Sequence, residues 1–155
     1  MSMDPAIGYL FLLVIDGYEL GGFTGVDGIA ASYDVTQVKE GGENAFVHSL
    51  PGRVTYSNVT LTRAIDPASA RLAMWFTEYQ TLLGIGGRHV PMSASVVAMT
   101  AGHVPVTTWH FADVVPIKYT GPSFDASSTK LAMEKFEFAH HGFWSGASPL
   151  SIAVL

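Results

Sequence analysis

The fold class is decided by the segment Met133-Glu134-Lys135-Phe136-Glu137-Phe138-Ala139-His140, in which side-chain character changes at nearly every residue. Successive side chains of a β-strand point to opposite faces. One face of this segment therefore carries Glu134, Phe136, Phe138 and His140, while the other carries Met133, Lys135, Glu137 and Ala139. The pattern predicts a strand from about Lys130 to His140.

Further strands are predicted on both sides of this segment. The run Val54 to Arg63 is rich in β-branched residues, which favour strands, and the continuous apolar run Ile7 to Ile15 indicates a fully buried strand. Leu50 to Arg53 contains Pro-Gly and predicts a turn. The remaining extended pieces are Ile29 to Val38, Phe46 to Leu50, Val90 to Thr100, Val104 to Ala112 (after the hairpin loop Ala101-Gly102-His103) and Pro116 to Gly121.

A single helix is predicted over residues 66–83. Asp66 is a favourable N-cap and Pro67 suits the first helical position. Gly84 would end the helix. The apolar residues between them recur at helical spacing and form one face: Leu72, Trp75, Phe76, Tyr79, Leu82 and Leu83.

These elements predict a mainly β protein, a barrel or sandwich of two packed antiparallel sheets with one flanking helix. A chain of 155 residues fits one domain. We expect that domain to span residues 1–144, with residues 145–155 forming an uncharged C-terminal tail.

The charged fraction indicates extensive contact with other chains. Only 14% of the residues are Asp, Glu, Lys or Arg, against about 25% in ordinary soluble domains, and mean hydropathy is +0.30. The run Tyr9 to Ile15 is far shorter than the ~20 residues that cross a bilayer, so membrane insertion is not expected. We therefore predict a subunit with a large buried interface. A net charge of −5 argues against a nucleic-acid-binding surface.

No pattern of catalytic or metal-ligating residues is found. The chain has no cysteine and no nucleophile motif, and its six histidines are scattered or, at His140 and His141, point to opposite faces of a strand. We interpret them as surface or interface histidines. Glu134 and Glu137 also face opposite sides and are expected to be solvated or interface charges. No catalytic residue, metal site or cofactor is therefore predicted.

Four segments, in order, resemble the phage tail tube family. They are the strand ending Val14-Ile15-Asp16-Gly17 with Gly22-Phe23-Thr24-Gly25-Val26-Asp27-Gly28; Glu40-Gly41-Gly42-Glu43-Asn44 with Leu50-Pro51-Gly52-Arg53 and Tyr56-Ser57-Asn58-Val59-Thr60-Leu61-Thr62-Arg63; Trp109 to Pro122; and Leu131 to Gly142. The chain is thus similar to bacteriophage tail tube proteins and to inner tube proteins of contractile injection systems, the group related to haemolysin-coregulated protein of type VI secretion.

The resemblance implies a structural subunit without enzymatic activity. Subunits would form six-membered rings that stack into a hollow tube inside a contractile sheath, with baseplate or hub and terminator proteins as further partners. DNA or effector proteins would pass through the lumen. Assembly would occur in the bacterial cytoplasm, and the product would be a virion tail or an injection particle.

The resemblance also assigns an inter-subunit role to two segments, Glu40, Gly41, Gly42, Glu43 and Asn44, and Leu50, Pro51, Gly52 and Arg53. They would lie in an extension that contacts neighbouring subunits or the next ring. An ordinary hairpin tip is the alternative at this place. For the whole protein, the alternative function is a β-barrel that binds a small apolar ligand.

Overall fold

The computed structural model describes residues 8–38, 48–87, 90–127 and 130–146. These residues form ten strands and one helix. In chain order the elements are β1 (Tyr9–Ile15), β2 (Tyr18–Phe23), β3 (Gly25–Asp27), β4 (Ala31–Val38), β5 (His48–Tyr56), β6 (Val59–Ala64), α1 (Ser69–Gly84), β7 (Met92–Thr100), β8 (Pro105–Thr120), β9 (Met133–Ala139) and β10 (Phe143–Ser145).

Two antiparallel sheets pack on each other. Sheet A has the order β2-β1-β7-β8-β10, and sheet B has the order β8-β9-β6-β3. Strand β8 belongs to both sheets, because it pairs with β7 up to Val114 and with β9 from Val115 onward. Asp113, at the transition, has a positive φ of 51°. The sandwich predicted from the sequence is thereby confirmed, and its strands are not seen to close into a barrel within the described residues.

The core lies between the two sheets and is filled by aromatic and aliphatic side chains. Phe111 of sheet A and Phe138 of sheet B meet edge to face with ring centroids 5.2 Å apart. Both are fully buried, as are Phe23 and Phe136. The predicted division of β9 into two faces is confirmed. The structure shows that the face with Glu134, Phe136 and Phe138 is buried, while Lys135 on the other face is exposed.

The helix begins three residues later than predicted. Asp66 accepts a hydrogen bond from the Ala68 N–H at 2.8 Å, and the Asp66 N–H donates to Ser69 Oγ at 3.0 Å. This reciprocal pair holds a turn before Ser69, so Asp66 caps that turn rather than the helix itself. Gly84 is the last helical residue; the stop lies at Gly86, whose φ of +86° only glycine adopts readily.

The predicted apolar face of the helix divides into two parts. Trp75 and Phe76 both contact the ring of Phe136 edge to face, at 5.8 and 6.4 Å between centroids, and Leu72 is fully buried. Leu82 and Leu83, two turns further on, are exposed. Packing against the sheets therefore uses the first half of the helix.

Three strand predictions are wrong. The segment Val54 to Arg63 belongs to two strands, because the strand conformation is interrupted at Ser57 and Asn58 between β5 and β6. The separate pieces ending at Ala112 and beginning at Pro116 are one strand, β8. The run Ile7 to Ile15 is not fully buried: from Tyr9 onward Leu13 and Ile15 are buried, whereas Leu10, Leu12 and Val14 are half-buried. Within the described parts of the chain, no helix is both long and apolar enough to span a bilayer.

Candidate assembly surfaces

Strands β4 and β5 form a two-stranded arm beside the sandwich. They pair with each other and with no other described strand. Almost every described side chain of the arm is exposed, including three large apolar ones, Tyr33 at 61%, Val35 at 58% and Leu50 at 53%. Since exposed apolar groups that find no partner within the subunit mark interaction sites, the arm is a candidate contact surface.

The arm continues the hairpin at the edge of sheet B. Strand β3 pairs with β6 through Asp27 and Thr60, and Ala31 pairs with Tyr56 at the base of the arm. Between them the chain bends at Gly28, which has a φ of +93° and at which a Cβ would stand 2.0 Å from the Asn58 carbonyl oxygen. Only glycine fits there, so the bend is built into the sequence.

The sequence-predicted interface residues fall in two places. Leu50, Pro51, Gly52 and Arg53 are in β5 and not in a turn, and Pro51 pairs with Val35 beside an irregularity in β4. A two-stranded ladder tolerates this proline because both of its strands are edge strands. All four residues are exposed. Glu40, Gly41, Gly42, Glu43 and Asn44 lie outside the described residues.

Face A, the outer side of sheet A, combines apolar and neutral polar side chains and is nearly free of charge. Its two central rows run across the strands as Glu19-Val14-Ser95-His110-Trp144 and Gly22-Leu12-Val97-Thr108. Ser95 Oγ lies 3.0 Å from His110 Nδ1, and the His110 ring stacks on Trp144. Glu19, at the edge of the sheet, is the one Asp, Glu, Lys or Arg residue in these two rows.

Face B, the outer side of sheet B, is polar. Its two central rows are Asp27-Thr60-Glu137-Lys118 and Gly25-Thr62-Lys135-Thr120. The next register pair on this face, Ala64 with Met133, is apolar. Glu137 stands opposite Lys118 and accepts a hydrogen bond from Asn58 Nδ2 at 3.0 Å. Two acids and two lysines balance on a background of threonine.

A buried ion pair lies beneath face B. Arg63 Nε donates to Glu134 Oε1, and both side chains are at most 2% exposed. The other guanidinium nitrogens donate to the carbonyls of Leu20 and Ala68. Glu134 also accepts hydrogen bonds from Ser69 Oγ at 2.8 Å and Tyr119 Oη at 2.7 Å. This network ties β2, β6, β9 and the start of α1 together.

The electrostatics of this network follow from burial and hydrogen bonding. Burial alone would raise the pKa of Glu134, but hydrogen bonds from Arg63, Tyr119 and Ser69 hold that pKa below its ordinary value. Burial and the hydrogen bond to Glu134 raise the pKa of Tyr119 to about 12. The prediction that Glu134 is a solvated or interface charge is therefore wrong. Its position on the same strand face as Phe136 and Phe138 was the signal for burial.

His140 is also buried, contrary to the prediction of a surface or interface histidine. Its ring is surrounded by Tyr56, Phe111, Phe138 and Phe143, with centroid distances of 5.0–6.2 Å. Its Nδ1 accepts the Gly142 N–H at 3.2 Å. Burial lowers the pKa of His140. The histidine thus sits where β9 of sheet B passes into β10 of sheet A, beside the base of the arm.

An open groove of about 390 Å³ lies between α1 and β2, and Tyr18, Trp75 and Leu82 contribute to its walls together with Glu19 and Glu78. Over the described ranges, no three histidine or carboxylate side chains are grouped as metal ligands would be.

Comparison with known families identifies the fold. Residues 8–144 match the family described as T4-like virus tail tube protein gp19. The chain belongs to this family. It is therefore a tail tube protein of a contractile system, a structural component and not an enzyme.

Solved structures agree with this tail tube fold. A chain of the sheath-tube complex of an extracellular contractile injection system (PVC, extended state) is 21% identical, with a TM-score of 0.71 over 93% of this chain and 91% of that one. A chain of the anti-feeding prophage tube-terminating cap has 18% identity and a TM-score of 0.70 over 96% and 95%. Hcp1 from Flavobacterium johnsoniae has 16% identity and a TM-score of 0.50 over 90% and 96%. No curated protein sequence matches the chain.

Proposed function

We propose that this tail tube protein closes into six-membered rings that stack into a hollow tube. The observation that carries the proposal is the arm, which exposes Tyr33, Val35 and Leu50 with no partner strand in the described part of its own subunit. A contact between the arm of one copy and a different surface of the next is heterologous. Such contacts close into a ring when the rotation allows and otherwise propagate, so one kind of subunit can supply both rings and stacks.

The interface residues are assigned to this arm. Leu50, Pro51, Gly52 and Arg53 lie on its exposed second strand, and Glu40, Gly41, Gly42, Glu43 and Asn44 fall between β4 and β5 in the sequence. We assign both segments to contacts between subunits or between rings. Glu40→Lys, or bulky residues at Gly41 and Gly42, should therefore impair stacking more than folding.

The partners are proposed from the assemblies in which similar folds occur. Those assemblies are a sheath-tube complex, a baseplate and a tube terminator of contractile particles. We assign a sheath, a baseplate or hub and a terminator to this tube as well, with DNA or effector proteins as cargo in the lumen. Assembly would take place in the bacterial cytoplasm, and the particle would be a virion tail or a contractile injection particle.

Negative-stain electron microscopy of the purified protein, with light scattering for mass, tests the proposal. Six-fold rings or hollow stacked tubes are the expected result. A monomer that persists at high concentration, even when a baseplate nucleator is added, would contradict it.

A matched pair of variants tests the arm. Leu50→Asp places a charge on an apolar arm position, and Leu131→Asp makes the same change at a side chain that is 77% exposed just before β9, away from the arm. We expect Leu50→Asp to abolish rings in microscopy while the Leu131 variant retains them. If both variants lose ring formation equally, the arm has no special role in ring formation.

The alternative of a small apolar-ligand carrier is not favoured by the structure. Phe23, Phe111, Phe136 and Phe138 are fully buried between the sheets, where such a ligand would have to lie. The groove between α1 and β2 is on the outside of the sandwich and has carboxylates in its wall.

A further inference from the structure

A buried histidine lies where the arm joins the sandwich. Tyr56, the last residue of β5, contacts the ring of His140 with the two centroids 5.3 Å apart, and the ring of Phe143 at 6.0 Å. We propose that His140 is a proton-operated latch: its neutral ring seats Tyr56 and holds the arm to the sandwich, and its protonation releases the arm. The consequence for tube assembly rests on the proposed function, whereas the latch itself is a property of the single subunit.

The arm is joined to the sandwich by two short connections. The chain enters the arm after the bend at Gly28, which has a φ of +93°, and leaves it at Ser57 and Asn58, where the strand conformation is interrupted. The Ser57 N–H donates to the Ala30 carbonyl at 3.1 Å, so the two connections are bonded to each other. The arm can therefore turn about them as a unit, and Tyr56 is the aromatic side chain that contacts the sandwich at this point.

The hydrogen bonding of His140 defines its neutral form. Nδ1 accepts the Gly142 N–H at 3.2 Å, so the single proton of the neutral ring is on Nε2. Nε2 is buried and, among the described residues, has no hydrogen-bond partner. A buried polar atom without a partner is uncommon in folded proteins and costs free energy. The docked arm thus keeps one polar group of the histidine away from water.

A second ring proton disrupts this arrangement. It would be on Nδ1, opposite the Gly142 N–H, so two donors would face each other and the hydrogen bond would be lost. The positive charge would lie among the four aromatic rings that surround His140, and an ionised group is costly to bury without a counter-charge. Release of the arm gives the charged ring access to water, so proton uptake favours the released state.

The titratable groups on the elements around His140 do not supply that counter-charge. On β8, Asp113 lies 3.4 Å from His141 Nδ1, and both side chains are exposed. On β9, Glu134 shares the face of the core aromatic residues but is paired with Arg63. The phenol of Tyr56 on β5 is neutral at these pH values, and β10 has no titratable side chain. Further titratable residues of these strands lie on the alternate strand sides and point away: Arg53, His110, Lys118, Lys135 and Glu137.

The pKa of His140 sets the pH range of the latch. Burial lowers this pKa from its ordinary value of 6.5 and the charge of His141 lowers it further, while the backbone of Gly142 and Ser57 raises it without outweighing burial. Since the released ring titrates near its ordinary pKa, the docked arm is fully favoured above that pH. As the pH falls below it, the ratio of released to docked arms rises by up to about tenfold per pH unit, and it levels off below the pKa of the docked ring.

A distance between two spin labels tests the latch in dilute, unassembled protein. The chain has no cysteine, so Gln37→Cys on the arm and Leu131→Cys on the sandwich, both at exposed positions, give one labelled pair. Ala101→Cys with Leu131→Cys gives the matched control pair within the sandwich. Between pH 7.5 and 4.5 we expect a second, broader arm distance to appear below pH 6.5 while the control distance stays constant. An arm distance that does not change with pH, or a control distance that changes equally, would overturn the latch.

Two variants without a titratable ring show whether His140 is the group responsible. His140→Phe keeps an aromatic ring, and His140→Asn keeps an acceptor for the Gly142 N–H, so the second distance should be absent from both at every pH. His141→Gln, the matched change at the exposed neighbour, should release its arm as the parent does. Release in the His140 variants would overturn the proposal. If neither variant folds, an NMR titration of the parent decides, because the His140 ring must take up its proton over the same pH interval in which the arm is released.

Sedimentation of preformed tubes over the same pH range separates the latch from the proposed function. Tubes that dissociate below pH 6.5 in the parent and persist in His140→Phe would support both. Arm release with no change in the tubes would support the latch and contradict the role of the arm in assembly. A protein that forms no hollow tube at any pH would refute the proposed function, and the label distances alone would then decide the latch.

Discussion

Faces A and B are built on the same architecture and differ in what they present to their surroundings. Both are outer sides of antiparallel sheets in one sandwich, and β8 contributes to both. Face A places Leu12, Val97 and Trp144 outward, and face B places Thr62, Lys135 and Glu137 outward. Packing within the subunit requires only the inner faces to be apolar, so we expect other chains to cover the additional apolar residues of face A.

The largest expected effect is a charge at the centre of face A. Val97→Lys should abolish assembly, because an unpaired charge buried in an interface costs about 3–5 kcal/mol, more than a hundredfold in association. Thr62→Lys, the matched change on face B, should leave assembly intact. Sedimentation of tubes measures both, with circular dichroism to check folding. Normal tubes from Val97→Lys would show that face A is not covered.

The next largest effect is expected on stability, at the ion pair of Arg63 and Glu134 that is buried beneath face B. Glu134→Ala should lower the free energy of unfolding by about 3–5 kcal/mol, because Arg63 would remain buried without its carboxylate. Urea denaturation measures the change. The double variant Arg63→Met, Glu134→Met should recover much of the loss. A double variant as unstable as Glu134→Ala would argue against the unpaired charge as the cause.

A smaller effect is expected at the junction of the two sheets. The pKa of His140 is lowered in the folded protein from an ordinary value of 6.5, so the unfolded chain binds the proton more readily. Its contribution to stability is fully present above about pH 6.5 and is lost as the pH falls below that value, by at most about 1.4 kcal/mol per unit. Denaturation between pH 7.5 and 5 should show this slope, and His140→Phe should flatten it. If the dependence of the unfolding free energy on pH is the same in His140→Phe, groups other than His140 cause it.

The smallest effect is expected on face B itself. Lys118→Gln removes the positive charge that stands opposite Glu137 on the neighbouring strand and should cost at most about 0.2–1 kcal/mol, because attraction between exposed charges is screened by water and salt. The difference from the parent protein should shrink further in 1 M NaCl. Chemical denaturation at low and high salt measures it. A loss above 2 kcal/mol that persists in high salt would mean that Lys118 is held in a buried contact and that face B is less hydrated than its polar side chains indicate.

The sequence was a good guide wherever one short pattern determined the result. The alternation of β9 correctly grouped Phe136 with Phe138 on one face and Lys135 on the other. The helix was found because Leu72, Trp75 and Phe76 recur at its period, although its start was misplaced by the turn at Asp66. The family was reached from short motifs in the right order, and residues 8–144 match it.

The errors have a common physical cause. Whether a charged side chain is solvated depends on partners far along the chain, and Arg63 and Glu134 are separated by 71 residues. The aromatic rings around His140 likewise come from β5, β8, β9 and β10. The alternation of β9 places Glu134 and His140 on the same face as Phe136 and Phe138, but the distant partners that accompany them in the core, such as Arg63, are not visible in their own surroundings in the sequence.

The sequence by itself determined the class of the protein, mainly β with one helix and few charges, and from those few charges it predicted a large interface with other chains. These properties follow from composition and from periods of two and 3.6 residues, which each segment carries alone. Only the tertiary structure decided which side of each strand faces outward and hence that the charges gather on face B and the apolar residues on face A. A sheet face is assembled from strands distant in the sequence, so its character exists only once their register is set.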